Sequence, residues 1–245
     1  MGEPLLRIAM WSGPRNISTA MMRAFEARGD TIVSDEPFYG YYLYETGLLH
    51  PGREEIINST ETDWQKIVDS ITAPGPDIYN IWYQKHMAHH MIHNMNMEWL
   101  SGFENWFLIR KPSEVILSYI KKNDLVSLED TGFPQIVKIF ELVSEISQKT
   151  PPVIDAKDVL VNPQKTLSLL CKKIGINFTN KMLKWDKGIR PTDGIWAKHW
   201  YDSVSETTGF GEYKPKSEKL DSKYDDILNQ CNKYYSYLYK LRLHD

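Results

Sequence analysis

Ser12 to Thr19 reads Ser-Gly-Pro-Arg-Asn-Ile-Ser-Thr, a Gly-Pro turn, a guanidinium and three hydroxyls in one short stretch. It follows an apolar run and precedes a helical pattern. The unpaired N–H groups and partial positive charge of a helix N-terminus near Ser18 suit an anion there. Arg15 adds a full charge, and Ser18 and Thr19 add donors, so Gly13-Pro14-Arg15-Asn16-Ile17-Ser18-Thr19 reads as a phosphate-type cradle. The competing account is an ordinary N-capped helix with Ser18 as its cap. The loop is not GxxxxGK[ST]. Counting from Gly13, the sixth residue is Ser18 and no Lys follows, which disfavours ATP hydrolysis.

Four histidines, His86, His89, His90 and His93, sit at i, i+3, i+4 and i+7. On a helix they would share one face, and His-x-x-x-His pairs bind zinc in some sites. No Glu stands beside them as in HExxH and no Cys is near, so the expectation is a polar face toward a cleft and no metal. Tyr41, Tyr42 and Tyr44 could shape a pocket or simply pack a core.

These residues need a scaffold. Leu5–Trp11, Thr31–Ser34, Asp77–Tyr83, Trp106–Ile109 and Pro152–Asp155 read as strands, apolar or β-branched and bounded by turn residues. Helical patterns cover Ser18–Arg28, Met87–Met97, a segment from Pro112, Pro134–Gln148, Asn162–Ile174 closed by Gly175, and Tyr224–Arg242. Phe38 to Ile71 is mixed, with helical pieces, and Lys187 to Lys219 is the least regular stretch. Strands alternating with helices predict an α/β domain over residues 1–245. Its expected form is a three-layer, P-loop-like fold with a central parallel sheet of about five strands flanked by helices. Ligands in such sheets bind beyond the carboxyl ends of the strands, where the Ser12–Thr19 loop would lie.

With 245 residues, 42% hydrophobic and 25% charged, the composition is that of a folded chain. A net charge of -3 argues against nucleic acid or an anionic membrane as partner. No signal segment or membrane span is read from the sequence, and Cys171 and Cys231 fit a reducing compartment, so the expected location is cytoplasmic.

Four segments in order resemble the sulfotransferases that use 3′-phosphoadenosine 5′-phosphosulfate (PAPS). Pro14-Arg15-Asn16-Ile17-Ser18-Thr19 resembles that family's 5′-phosphosulfate loop. Arg110-Lys111-Pro112-Ser113 through Ser118-Tyr119 resembles the Arg and Ser that grip the 3′-phosphate. Asp158-Val159-Leu160-Val161-Asn162-Pro163 resembles the family's Asp-Leu-x-x-x-Pro stretch. Arg190 and Gly194-Ile195-Trp196-Ala197-Lys198-His199-Trp200 resemble the late segment that closes over the nucleotide. Two departures stand out. Ile17 replaces the usual Gly, and a β-branched residue resists positive φ, so the loop must turn by another path. Arg190-Pro191-Thr192 replaces Arg-Lys-Gly. The branch also resembles a domain found beside aminotransferase-like domains in longer proteins, without any feature of a pyridoxal site.

The resemblance implies sulfuryl transfer from PAPS to a hydroxyl or amine of a small-molecule or carbohydrate acceptor, with 3′,5′-ADP as product. Arg15 is the expected cation on the leaving group; the sulfuryl group carries less charge than a phosphoryl, so no metal is required. Two bases are implied: Glu36, in Asp35-Glu36-Pro37, and His86, in Lys85-His86, similar to the family's Lys-x-His. Arg110, Ser118, Arg190 and Trp196 join the Gly13–Thr19 loop as implied nucleotide contacts. Two rival functions are a nucleotide-dependent kinase or ATPase, and a nucleotide-binding protein without catalysis, which Ile17 favours.

Overall fold

In chain order the strands are β1 (Leu6–Ser12), β2 (Thr31–Asp35), β3 (Ile81–Met87), β4 (Glu104–Ile109) and β5 (Val153–Asp155). They form one parallel sheet in the order β2-β3-β1-β4-β5 in a computed structural model that describes residues 5–92, 95–122 and 127–244. The helices are α1 (Ser18–Glu26), α2 (Tyr39–Thr46), α3 (Arg53–Ser59), α4 (Trp64–Thr72), α5 (Pro112–Tyr119), α6 (Phe133–Ser147), α7 (Ala156–Val161), α8 (Pro163–Lys173), α9 (Ala197–Trp200), α10 (Asp202–Ser205) and α11 (Asp225–Lys240).

β1 is central, and its alternate residues feed two cores. Ile8 and Met10 pack with Met21 and Phe25 of α1 and Leu167 and Leu170 of α8 on one face. Ala9 and Trp11 pack with Ile136 and Phe140 of α6 and Leu238 of α11 on the other. The expected three layers and parallel strands are therefore present. Among the described residues no helix is long and apolar enough to cross a membrane.

Two expectations change around β3. The strand is Ile81–Met87, not Asp77–Tyr83. Pro76 to Tyr79 instead makes a turn, with Tyr79 N–H donating to Pro76 C=O at 3.2 Å. The strand then runs through Gln84, Lys85 and His86, all buried. Their polarity conceals a strand whose side chains are paired or stacked inside. Among the described residues of 87–97 the expected helix is not formed; a 3-10 turn, Ala88–His90, follows the strand. His93 lies outside the described residues.

The strand order defines the site. From β1 the chain crosses toward β2 at one edge; from β4 it crosses toward β5 at the other. The crevice at such a reversal, between the carboxyl ends of β1 and β4, is where open α/β sheets bind ligands. The Gly13–Thr19 loop leaves β1 there and Arg110 leaves β4 there.

Candidate functional site

A cleft of about 400 Å³ opens over these strand ends. Its anion-binding end is built by Pro14 to Thr19, Arg110 and Ser118, all of which line it. Arg15 Nε donates to Ser118 Oγ at 3.0 Å, and Arg110 Nη1 donates to the Arg15 carbonyl at 3.2 Å. Asn16 fastens the loop to the sheet, its Nδ2 donating to Leu108 C=O at 3.0 Å and its Oδ1 accepting from Ile17 N–H at 2.9 Å.

Ile17 caps α1 with φ −92° and makes no side-chain cap bond. The left-handed residue of the loop is Arg15, with φ 56°. The turn that a glycine would supply at position 17 is made two residues earlier. Ser18 sits inside the helix and lines the cleft, so it does not act as the cap. The first N–H groups of α1 thus face the cleft without a side-chain cap. Gly13 lies behind the loop: a Cβ there would meet Thr131 C=O at 2.8 Å.

This end is electropositive. Burial and then the Arg110 charge lower the affinity of the Arg15 guanidinium for its proton. Burial and then Arg110 do the same to the Lys216 ammonium, whose Nζ donates to Glu114 C=O at 3.0 Å. The compensating carboxylate is Glu114, which accepts from Arg110 Nε at 3.0 Å and from the Tyr213 hydroxyl at 2.8 Å. Three crowded cations around one carboxylate suit an anionic ligand.

The other end carries a carboxylate pair. Lys85 Nζ lies 2.7 Å from Asp35 Oδ1 and 2.7 Å from Glu36 Oε1. The β2–β3 register sets Asp35 beside Lys85. The Tyr201 hydroxyl donates to Asp35, and Gly194 N–H donates to Asp35 Oδ2 at 3.0 Å. Burial works against the Lys85 charge, but Asp35, Glu36 and Tyr201 outweigh it and hold the ammonium protonated well above its usual range. Glu36 is pushed up by burial and by Asp35, against the pull of Lys85. Glu36 also has φ 43°, a left-handed conformation uncommon outside glycine and frequent at functional sites. A carboxylate on the cleft wall whose proton affinity burial raises can accept a proton from a bound hydroxyl.

His86 is not in the cleft. Lys85 and His86 are neighbours on one strand, so they project to opposite sheet faces, whereas a Lys-x-His spacing would put both on one. His86 stacks on Trp11, its ring centroid 4.7 Å away, and burial lowers its pKa to about 3. Its side chain lies in the core and does not line the cleft. Arg190 is also elsewhere: its side chain pairs with Glu26, and its N–H donates to Asp193 Oδ2 at 2.8 Å. Trp196 is buried against Tyr39, edge to face at 5.1 Å, and does not line the cleft. Trp200, four residues on, does.

The middle of the cleft holds two of the histidines expected to face one, His89 and His90, though from a 3-10 turn, and Tyr42, read as a possible pocket wall. His90 is stacked between Tyr39 and Tyr42, at 5.0 and 4.7 Å, with its Nε2 4.0 Å from Glu36 Oε2. His89 also lines the cleft, and burial lowers its pKa to about 4. Asp35, Lys85 and Tyr201 went unassigned because their pairing depends on strand order and on the late loop. The available signal was a lone Lys inside an aromatic strand pattern. Thr207 to Phe210 of the irregular stretch also reach the cleft, at Thr207, Gly209 and Phe210. Among the described residues no group of three or more His, Cys, Asp or Glu is arranged to hold a metal.

Comparison with known proteins bears on this geometry. The sulfotransferase domain family profile matches residues 6–242. Branched-chain-amino-acid aminotransferase-like protein 1 of Arabidopsis thaliana is 36% identical over 240 residues, 97% of this chain and 42% of that protein. Branched-chain-amino-acid aminotransferase-like protein 2 from the same organism is 34% identical over 233 residues, 94% of this chain and 41% of its own length. The chain thus spans about two fifths of these relatives. Among solved structures, the sulfotransferase domain of the Synechococcus PCC 7002 olefin synthase superposes with a TM-score of 0.55 at 15% identity, covering 94% of this chain and 95% of that one.

Proposed function

The chain belongs to the sulfotransferase domain family, and on that premise we propose that it moves a sulfuryl group from PAPS to a hydroxyl or amine of a small-molecule acceptor, releasing 3′,5′-ADP. The observation that carries the reading is the meeting of Arg15, Ser118 and Arg110 at the β1–β4 crevice, from two segments about a hundred residues apart. A ligand with phosphate groups at both ends of an adenosine fits such a paired grip. The Pro14–Thr19 backbone and the α1 N-terminus would hold the phosphosulfate, and Arg110 with Ser118 the 3′-phosphate.

Arg15 then neutralises charge growing on the leaving phosphate; being permanently protonated, it stabilises rather than donates. Glu36 takes the acceptor proton. Lys85 fixes the Glu36 carboxylate, and Asp35 and Tyr201 fix Lys85. The network lies on a cleft wall shared with Tyr39, Tyr42 and Trp200. A cytoplasmic location belongs to the same reading, since Cys171 and Cys231 are free, buried thiols.

Calorimetric titration tests the donor. Saturable binding of 3′,5′-ADP, with no comparable heat from Mg-ATP, is expected. Preference for Mg-ATP would return the site to the kinase or ATPase class. Binding of 3′,5′-ADP without transfer to any of a broad set of alcohols and amines would leave a nucleotide sensor.

A further inference from the structure

A second cavity, about 1020 Å³, adjoins the cleft. Tyr42, His89 and Asp130 line both, so the two share a wall or doorway immediately beside Glu36's neighbour His90. The interior of this second cavity is apolar and deformable: Met91, Met95 and Met97 face Ile139, Leu142 and Ile146 of α6. Apart from Ile139, these residues are only half-buried, so apolar surface is left for a ligand to cover. Thioethers on unbranched stems adapt to ligands of varied shape.

Charge is confined to the rim. Glu98, Glu129 and Glu145 are exposed there, with Asp130 half-buried at the junction, against the single ammonium of Lys138. On the cleft side of the junction, burial and then Asp130 raise the pKa of Tyr119 to about 12. At the junction His89 is neutral, and its buried Nδ1 has no protein partner. A buried polar atom without a partner is costly and is expected to be satisfied by a ligand or water.

We propose that this second cavity receives the tail of the acceptor, which is an elongated apolar molecule bearing its nucleophilic hydroxyl at one end and no anionic group at the other. The inference rests on the sulfuryl-transfer reading for the reacting end. The hydroxyl passes Tyr42 and His89 to reach Glu36, the chain lies along the methionines and α6, and the acidic rim repels carboxylate or sulfate tails. A sugar could pair one hydroxyl with the buried, unpartnered Gln135 Oε1 but would leave its others unpaired along the methionines and the apolar face of α6.

The test uses the purified protein and straight-chain primary alcohols from butanol to dodecanol, matched ω-hydroxy carboxylates, and glucose. Sulfated product is measured by mass spectrometry with PAPS as donor. In parallel, each compound is titrated against N-phenyl-1-naphthylamine, a neutral fluorophore, to read occupancy of the cavity without any transfer. Expected are kcat/KM and displacement affinity that rise roughly two- to fourfold per added methylene before levelling off. The carboxylates should be at least tenfold poorer than alcohols of equal length, and glucose inactive. Leu142→Trp should abolish the length dependence while 3′,5′-ADP binding, measured on the same sample, is retained. A response flat with length, or carboxylates that match the alcohols, overturns the proposal. Loss of 3′,5′-ADP binding in the wild type would instead strike the donor reading, and the displacement series would still decide the cavity.

Discussion

Arg15 Nε donates to Ser118 Oγ at 3.0 Å, a bond between the loop after β1 and the last turn of α5. It makes the two anion grips one unit, because Arg110 also holds the Arg15 carbonyl. The two arginines nonetheless differ in role. Arg110→Ala should weaken 3′,5′-ADP by roughly 10- to 100-fold, the worth of a charge-assisted hydrogen bond. Arg15→Ala should reduce kcat roughly 100- to 1000-fold with a smaller change in nucleotide affinity, as expected for a group that acts on developing charge. Titration calorimetry and steady-state rates separate the two; equal losses of affinity and no loss of turnover would reverse the assignment.

Glu36 is the expected base, so Glu36→Gln should lower kcat roughly 100- to 10,000-fold with nucleotide binding preserved. The pH profile carries the sign. Burial raises the Glu36 pKa, so the rate should climb with pH through a midpoint above the ordinary carboxylate value of about 4.3. Lys85 pulls that pKa down. Lys85→Met should therefore move the rising limb to higher pH, provided the melting curve still shows a folded protein. A limb that stays in place would remove Lys85 from control of Glu36.

The sequence was readable where one segment carried both its structure and its chemistry. The Gly13–Thr19 loop needs only a strand before it and a helix after it, and the Arg110 to Ser118 segment is likewise local. Glu36, expected at a strand end before Pro37, does follow β2 and line the cleft. What the sequence concealed is where side chains lie when their positions depend on contacts between distant segments. Lys85 and His86 could not be told apart without the start of β3, which the buried polar run Gln84-Lys85-His86 hides from any hydrophobic pattern. Arg190 and Trp196 were expected at the nucleotide from their resemblance to the family's late segment, yet both side chains lie outside the cleft. Their positions are set by Glu26 and Tyr39, which no local pattern could name as their partners.

His86 offers a contrast with Glu36. Its pKa in the fold is about 3, against about 6.5 in an unfolded chain. Below pH 6.5 the unfolded state binds a proton that the folded state refuses, so stability falls as the medium becomes acid. The loss reaches about 3 kcal/mol by pH 4 from this residue, and His89, lowered to about 4, adds to it. Melting temperatures recorded from pH 7 to pH 4 should fall steeply, and His86→Gln should flatten the slope. The same variant should leave the shape of the pH–rate profile unchanged. A shifted profile would put His86 back among the candidates for the base.

Alongside the Arg190–Glu26 pair, the late segment is tied to α1 by a fully buried ion pair, Arg23 Nη2 to Asp193 Oδ2 at 2.7 Å, with both side chains fully inaccessible. Asp193 Oδ2 also accepts the Arg190 N–H, and the next residue, Gly194, donates to Asp35. The pair therefore ties α1 to the strand of contacts that orients Lys85. Asp193→Ala would strand the Arg23 charge inside the protein, which costs about 3 to 5 kcal/mol and should lower Tm by roughly 10 °C. Replacing both partners by apolar residues, Arg23→Met with Asp193→Leu, removes the orphaned charge and should recover most of that loss. Calorimetric melting of the single and double variants decides the matter. If Asp193→Ala melts within about 2 °C of the native protein, the pair is not what fastens this segment. If only the double variant is stable, its kcat reports whether the fastening itself, rather than the charge, is what the Asp35–Lys85–Glu36 arrangement requires.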